Sequence, residues 1–248
     1  MRVCSAEAAN ASSDAGPRTD VFSKEIEKMS GTGIHERLVG AFFPAPVTAS
    51  GETIEAGTPV SRLLREVSLC LAGTLLLALS SKVSVPLLPV PMTLQPLAVL
   101  CIGAAYGTRL SVLTVIAYLV CGICGLPVFA NTPPLPAGPL YLLGPTGGFL
   151  LSYIPAAAIM GVTAEAKLDR KFLTMLPSAL LANATILAFG LFWLAFVAHV
   201  GTSSHGIGMA EAWSKGVAPF VFGDILKAAL AAAILPAGWA LLGTRQAP

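Results

Sequence analysis

The stretch VAPFVFGDILKAALAAAILPAGWALL, residues 217–242, contains only two charged side chains, Asp224 and Lys227. It is long enough for a membrane-crossing helix, which needs about 20 consecutive apolar residues. A charge at the centre of such a helix costs about 2.5–3.5 kcal/mol on insertion. The stretch therefore predicts a transmembrane helix, and the cost of its two charged side chains indicates that they have a specific role.

The composition of the whole chain indicates an all-α membrane protein. Of its 248 residues, 55% are hydrophobic and 11% are charged, whereas soluble domains carry about 25% charged residues. The first 66 positions hold 16 of the 28 charges. We therefore predict a polar, disordered extension at 1–62, a transmembrane substrate-binding domain at 63–243 and a short cytoplasmic tail at 244–248. The net charge of +2 and the lack of a basic run argue against nucleic-acid binding.

Apolar segments predict six transmembrane helices, at 67–84, 93–107, 109–126, 147–165, 173–200 and 217–242. Lys and Arg are enriched in cytoplasmic flanks. If the N-terminus is inside, the cytoplasmic flanks hold Arg62, Arg65, Arg109, Lys167, Arg170, Lys171 and Arg245, and the external flanks hold only Lys82 and Lys215. We therefore expect both termini in the cytoplasm. The proline-rich connections 85–92 and 127–146 then lie outside, where a ligand would enter.

Asp224 and Lys227 allow two interpretations. Their i, i+3 spacing puts them on one helical face, where they can pair. An ion pair that only neutralises itself would be the structural explanation, but two apolar residues would serve the fold as well. Because ionisable residues inside membranes usually mark a ligand or ion path, we favour a buried site for a small ligand that carries both hydrogen-bond donors and acceptors.

The external connections supply further candidates for that site. Gln95 is among the first polar residues after the prolines of 85–92, although it would also suit a contact between helices. The second connection offers Phe129, Asn131 and Tyr141. Its aromatic rings could cover an apolar ligand body or anchor helices at the membrane interface. Gly147 and Gly148 would let backbone N–H groups approach a ligand at a helix N-terminus.

Four motifs in this order resemble the BioY family, the substrate-binding S-components of energy-coupling-factor biotin transporters: PVPMTLQ (89–95), GLPVFA (125–130), GPTGGF (144–149) and GDILKAAL (223–230). The resemblance covers about residues 63–243. It implies a six-helix protein that captures biotin from the external face with high affinity. The matching ligand-binding residues would be Asp224, Lys227, Gln95 and Asn131. Phe149 stands where the family more often has Tyr.

The resemblance also implies partners, namely a transmembrane coupling subunit and two ATPase subunits. The sequence contains no G-x-x-x-x-G-K-[ST] phosphate loop and no catalytic cluster, so we predict neither an enzyme nor a cofactor. Cys121 and Cys124 form a CxxC without a second ligand pair, which argues against a metal site. Cys70, Thr74 and Ala78 form a small-residue face for docking a partner or for internal packing.

Self-association is the other way in which so small a transport protein could work. We expect a multi-pass protein of the plasma membrane, with an organellar membrane as the alternative. The competing functions are an S-component for another vitamin, such as thiamine or riboflavin, and a small carrier or channel in which Asp224 and Lys227 couple ions.

Overall fold

The computed structural model describes residues 59–130, 137–200 and 206–243. The helices are α1 (Pro59–Lys82), α2 (Gln95–Ile123), α3 (Pro139–Leu143), α4 (Gly147–Glu165), α5 (Phe172–Phe196), α6 (Met209–Gly216) and α7 (Ala218–Gly243), with a 3-10 helix at Leu168–Arg170. A small hairpin pairs β1 (Ser84–Val85) antiparallel with β2 (Met92–Thr93). Asn131 and the predicted tail 244–248 lie outside the described residues, as does the predicted extension 1–62 except for its last four positions.

The described residues contain five helices long and apolar enough to cross a membrane, where the sequence predicts six. The difference arises because the predicted spans 93–107 and 109–126 both fall in α2. Helix α1 begins at Pro59, eight residues before the predicted span, since Arg and Glu are good helix formers even where hydropathy is low. The short helices α3 and α6 lie in segments that the sequence analysis treats as connections.

Helix α2 reverses direction at Gly107, whose φ of 75° and ψ of 175° are not helical. A straight helix would place residues 95 and 118 about 35 Å apart. Instead, Gln95 Nε2 lies 2.6 Å from the Tyr118 hydroxyl. The two halves of α2 are therefore antiparallel, and they meet at the turn that the sequence places between two spans.

Close packing against α4 supports this reversal. A Cβ atom at Gly161 would lie 2.4 Å from Thr108 Cα and N, and one at Gly103 would lie 2.5 Å from Met160 Cβ. The Glu165 carboxylate accepts a hydrogen bond of 3.0 Å from the Thr108 N–H. This places a negative charge at the start of the second half of α2, where the helix dipole favours it.

The reversal brings several helix ends together at one end of the bundle. Helices α2, α4 and α7 all begin there, and α1 and α5 end there. At the opposite end, the Trp239 indole donates to Asp169 Oδ2 (2.7 Å), and the Arg170 guanidinium lies 5.0 Å from the Trp239 ring. Burial raises the pKa of the Asp169 carboxyl, against the opposing effects of the Trp239 hydrogen bond and Arg170.

Much of the outer surface of the bundle is apolar. Leu71, Leu75, Phe192, Phe222 and Ile234 are among its exposed large hydrophobic side chains. In a soluble protein so much exposed apolar surface would cause aggregation, whereas lipid chains solvate it without penalty. The fold is thus that of a multi-pass membrane protein.

The packing at Gly161 leads to a stability prediction. Gly161→Val should lower the free energy of unfolding by about 1–3 kcal/mol or more, because its side chain would overlap the backbone of the α2 turn. Thermal unfolding in detergent measures the change. Val162→Leu, at an exposed neighbour, is the matched control and should unfold like the parent. Equal stability of the two variants would contradict the close approach of α4 to the turn.

Candidate functional site

A pocket lies at the end of the bundle where α2, α4 and α7 begin. It encloses about 500 Å³ of space, a figure that includes the open space at its mouth. Its walls come from the β2 hairpin strand and the start of α2, from Tyr141 of α3, and from α4, α5 and α7. Most of the wall is apolar, and the polar side chains are Thr93, Gln95, Tyr141, Thr146, Tyr153, Asp224 and Lys227.

Asp224 and Lys227 form the charged part of this pocket. Lys227 Nζ donates to Asp224 Oδ1 over 2.9 Å, and the two side chains are 9% and 5% exposed, respectively. They belong to the buried stripe of α7, which continues through Ala228, Ala231 and Leu235. The helix therefore turns both charges towards the protein and its apolar side chains outward. This is the pair that the i, i+3 spacing predicts.

Asn183 of α5 holds α7 at the level of the pair. Its Nδ2 donates to the backbone carbonyl of Asp224 over 2.7 Å, and the residue is 3% exposed. Its Oδ1 has no hydrogen-bond partner among the described residues. A buried amide costs free energy where its hydrogen bonds are not made, and the bond from Nδ2 to α7 offsets part of that cost. Here it fixes the height and rotation of the helix that carries the two charges.

Gln95 lines the pocket from a different helix, at the first residue of α2. The hairpin positions it, because Thr93 Oγ1 in β2 accepts the Gln95 backbone N–H over 3.3 Å and lies 3.4 Å from Gln95 Oε1. The Gln95 side-chain amide donates to Tyr118 in the second half of α2. Gln95 is 2% exposed. Its side chain thus both contacts a neighbouring helical segment and lines the pocket, so the two interpretations offered by the sequence hold together.

The two predicted aromatic residues have different positions. Tyr141 lines the pocket. Phe129 is fully buried behind it, with the two rings stacked at a centroid distance of 4.6 Å. Gly122 makes room for the Phe129 ring, since a Cβ there would lie 2.0 Å from Phe129 Cζ. Phe129 thus supports Tyr141 in this structure and does not line the pocket.

Gly147 and Gly148 also lie behind the pocket wall. A Cβ at Gly148 would lie 2.1 Å from Trp193 Cβ, and one at Gly147 would lie 1.7 Å from the Leu142 carbonyl oxygen. The neighbouring residues Thr146 and Phe149 line the pocket instead. In this structure the two glycines allow α4 to approach α5 and α3 closely.

Tyr153 is the main wall residue that the sequence analysis missed. It is 3% exposed and lines the pocket one helical turn after Phe149. Residues four apart share a helix face, so a Tyr at i+4 from the end of GPTGGF was the available signal. Phe220, Ile186 and Leu187 complete the apolar wall, but nothing in their sequence context distinguishes them from core residues.

The small-residue face of α1 is used internally. Thr74 is 8% exposed and its hydroxyl lies 3.5 Å from the Thr114 carbonyl of α2. Ala78 packs against the core, and Cys70 is partly buried. The contacts of α1 thus correspond to the internal-packing alternative for this face.

The chemistry of the pocket suits a small, mostly apolar ligand with a few polar groups. A carboxylate and an amide oxygen can accept hydrogen bonds, and an ammonium can donate to a carbonyl or an anion. Across the described residues, no three or more His, Cys, Asp or Glu side chains are grouped so as to hold a metal ion. The arrangement is suited to binding and orienting such a ligand.

Comparison with known proteins places the chain among transport proteins. A model described as the BioY family matches residues 51–244. A biotin transporter BioY of Thermotoga maritima is 37% identical over 65% of this chain and 88% of the relative, and a probable biotin transporter BioY of Pyrococcus horikoshii is 34% identical over 68% and 93%. The crystal structure of an S-component for biotin from an ECF-type ABC transporter shares the fold, with a TM-score of 0.58 and 21% identity over 71% of this chain and 90% of that one.

The buried pair leads to a prediction about folding without ligand. Lys227→Met should lower the free energy of unfolding by about 3–5 kcal/mol, because it leaves the Asp224 carboxylate buried without its partner. The double variant Asp224→Leu/Lys227→Met should regain the stability of the parent, since apolar residues fill the same space. Thermal unfolding in detergent measures both, with Leu226→Met on the exposed face as control. A double variant as unstable as the single one would mean that the fold itself needs the pair.

Proposed function

Because the chain belongs to the BioY family, a family of transporter S-components rather than enzymes, we propose that it binds biotin with high affinity and takes part in its uptake. The observation that carries this proposal is the buried Asp224–Lys227 pair on the wall of a mostly apolar pocket. The names of the relatives and the fold shared with a biotin S-component support the same ligand.

The groups of biotin match the groups of the pocket. Biotin has a ureido ring with two N–H donors and one carbonyl, an apolar bicycle and chain, and a carboxylate. The Asp224 carboxylate accepts a ureido N–H, and Lys227 donates to the carbonyl or the carboxylate. Tyr141 and Phe149 cover the apolar body, and Phe129 supports this cover from behind. Asn131 matches a ligand-binding residue of the family, and we propose that it contributes to the same site.

The proposed topology has six membrane crossings with both termini in the cytoplasm. The reversal at Gly107 supports it, because each antiparallel half of α2 then crosses once. Arg62, Arg65, Arg109 and Lys167 lie at the end of the bundle away from the pocket, whereas Lys82 lies at the pocket end. The pocket then opens to the outside. Asp224 lies about 9 Å along α7 from its external end, by the rise of an α-helix.

Transport against a gradient requires an energy source that the sequence does not supply. A transmembrane coupling subunit and two ATPase subunits would provide it, in the plasma membrane, with self-association as the alternative arrangement. Docking through Cys70, Thr74 and Ala78 would require Thr74 to exchange its contact with Thr114 for a contact with the partner. The exposed apolar residues of α1 offer a further surface for such a contact.

Equilibrium binding of biotin to the detergent-purified chain tests the proposed function. The parent should bind tightly, and Asp224→Asn should weaken binding by about 10- to 100-fold, because it removes a charged acceptor without changing size. Asp169→Asn makes the same chemical change at a buried site far from the pocket and should bind like the parent. A folded parent that does not bind biotin but binds thiamine or riboflavin would contradict the proposal. An Asp224→Asn variant that binds biotin as tightly as the parent would also contradict it.

Thiol labelling tests the proposed orientation. Cys124 is exposed at the pocket end, after the last residue of α2. In a variant whose only cysteine is Cys124, a membrane-impermeant maleimide should label intact cells. A matched variant whose only cysteine is introduced by Ala166→Cys, at the opposite end, should label only after permeabilisation. The reverse pattern would mean that the pocket faces the cytoplasm.

A further inference from the structure

A chain of hydrogen bonds leads from the pocket to the backbone of the segment 125–130. Gln95 Nε2 lies 2.6 Å from the Tyr118 hydroxyl, and that hydroxyl lies 3.1 Å from the carbonyl oxygen of Val128. Tyr118 is fully buried and is not part of the pocket wall. The Phe129 ring meets the Tyr118 ring edge-on at a centroid distance of 5.6 Å, which restricts where the hydroxyl can point.

Counting protons along this chain determines the direction of each bond. A backbone carbonyl only accepts, so the single hydroxyl proton of Tyr118 goes to Val128. Towards Gln95 the hydroxyl can then only accept, and the amide must present its NH₂ group. The amide oxygen of Gln95 is thereby turned to the other side, where Thr93 Oγ1 lies 3.4 Å away and the pocket begins.

We propose that Tyr118 is a positioning residue that holds the Gln95 amide with its oxygen towards the pocket, where it accepts an N–H of the ligand. The pocket then presents two acceptors from different walls, Gln95 Oε1 on α2 and the Asp224 carboxylate on α7. Two acceptors suit the two N–H donors of a cyclic urea and disfavour a ring that carries only acceptors. This inference rests on the proposed function, since it concerns how the same pocket chooses its ligand.

A double-mutant cycle separates positioning from general loosening of the fold. Gln95→Ala should weaken biotin binding about tenfold, and Tyr118→Phe about fivefold to tenfold, because the amide becomes free to turn over. If Tyr118 acts through Gln95, the double variant should bind within about twofold of Gln95→Ala alone. Ser81→Ala is the matched control, since Ser81 Oγ lies 2.8 Å from the same Val128 carbonyl but does not contact Gln95. Any loss of biotin affinity caused by Ser81→Ala should multiply with the loss caused by Gln95→Ala.

Ligand analogues supply a measurement that does not depend on the Tyr118 variant. In two carbamate analogues of biotin, one or the other ureido N–H is replaced by oxygen. One of them should bind the parent and Gln95→Ala equally, because the hydrogen bond that Gln95 accepts is missing from it. Biotin and the second analogue should remain sensitive to the substitution.

If the losses of biotin affinity from Gln95→Ala and Tyr118→Phe multiply in the double variant, the inference is overturned. It is also overturned if the binding of both carbamates is weakened by Gln95→Ala as much as the binding of biotin is. In that case biotin binding by the parent would leave the proposed function intact. A folded parent that binds no biotin would overturn both.

Discussion

The salt bridge between Asp224 and Lys227 is the interaction on which the pocket of this protein depends. Each charge alone is costly in hydrocarbon, and the two offset one another only at hydrogen-bonding distance and away from lipid. Helix α7 must therefore direct this face towards the other helices. Its buried stripe of alanines allows the close approach, and Asn183 fixes the helix through the Asp224 carbonyl. What the pair adds, beyond what leucines would provide, is a place where a ligand's polar groups can be desolvated.

The reversal at Gly107 has a complementary effect on the part of the pocket wall that α2 forms. It returns Tyr118 to the level of Gln95 and so makes a polar contact within the bundle next to the pocket. Gly103 and Gly161 permit the reversal because neither carries a side chain. Helix α4 can therefore pack directly on both sides of the turn. A pocket with its charged and amide groups on α7 and α2, and mainly apolar and aromatic residues on α4 and α5, follows from these helix positions.

The helix positions were largely predictable from the sequence, because hydropathy is a strong signal in a bilayer. The ends of the span at 147–165 agree with α4 to the residue, and the two charges of 217–242 lie together in the pocket as their spacing indicates. Direct contacts were less predictable. The motif residues Gly147, Gly148 and Phe129 support the wall from behind, since what a small or aromatic residue meets is set by helices distant in sequence. Tyr153 was missed because one hydroxyl hardly changes the hydropathy of an apolar segment.

The most direct test of this account is a structure of the chain purified with biotin. The account predicts the ureido ring between α2 and α7, with one N–H within hydrogen-bonding distance of the Asp224 carboxylate and the apolar bicycle against the aromatic wall of α4. Biotin bound elsewhere, or bound in this pocket without contact to Asp224 or Lys227, would contradict the claim that the buried pair exists to hold the ligand.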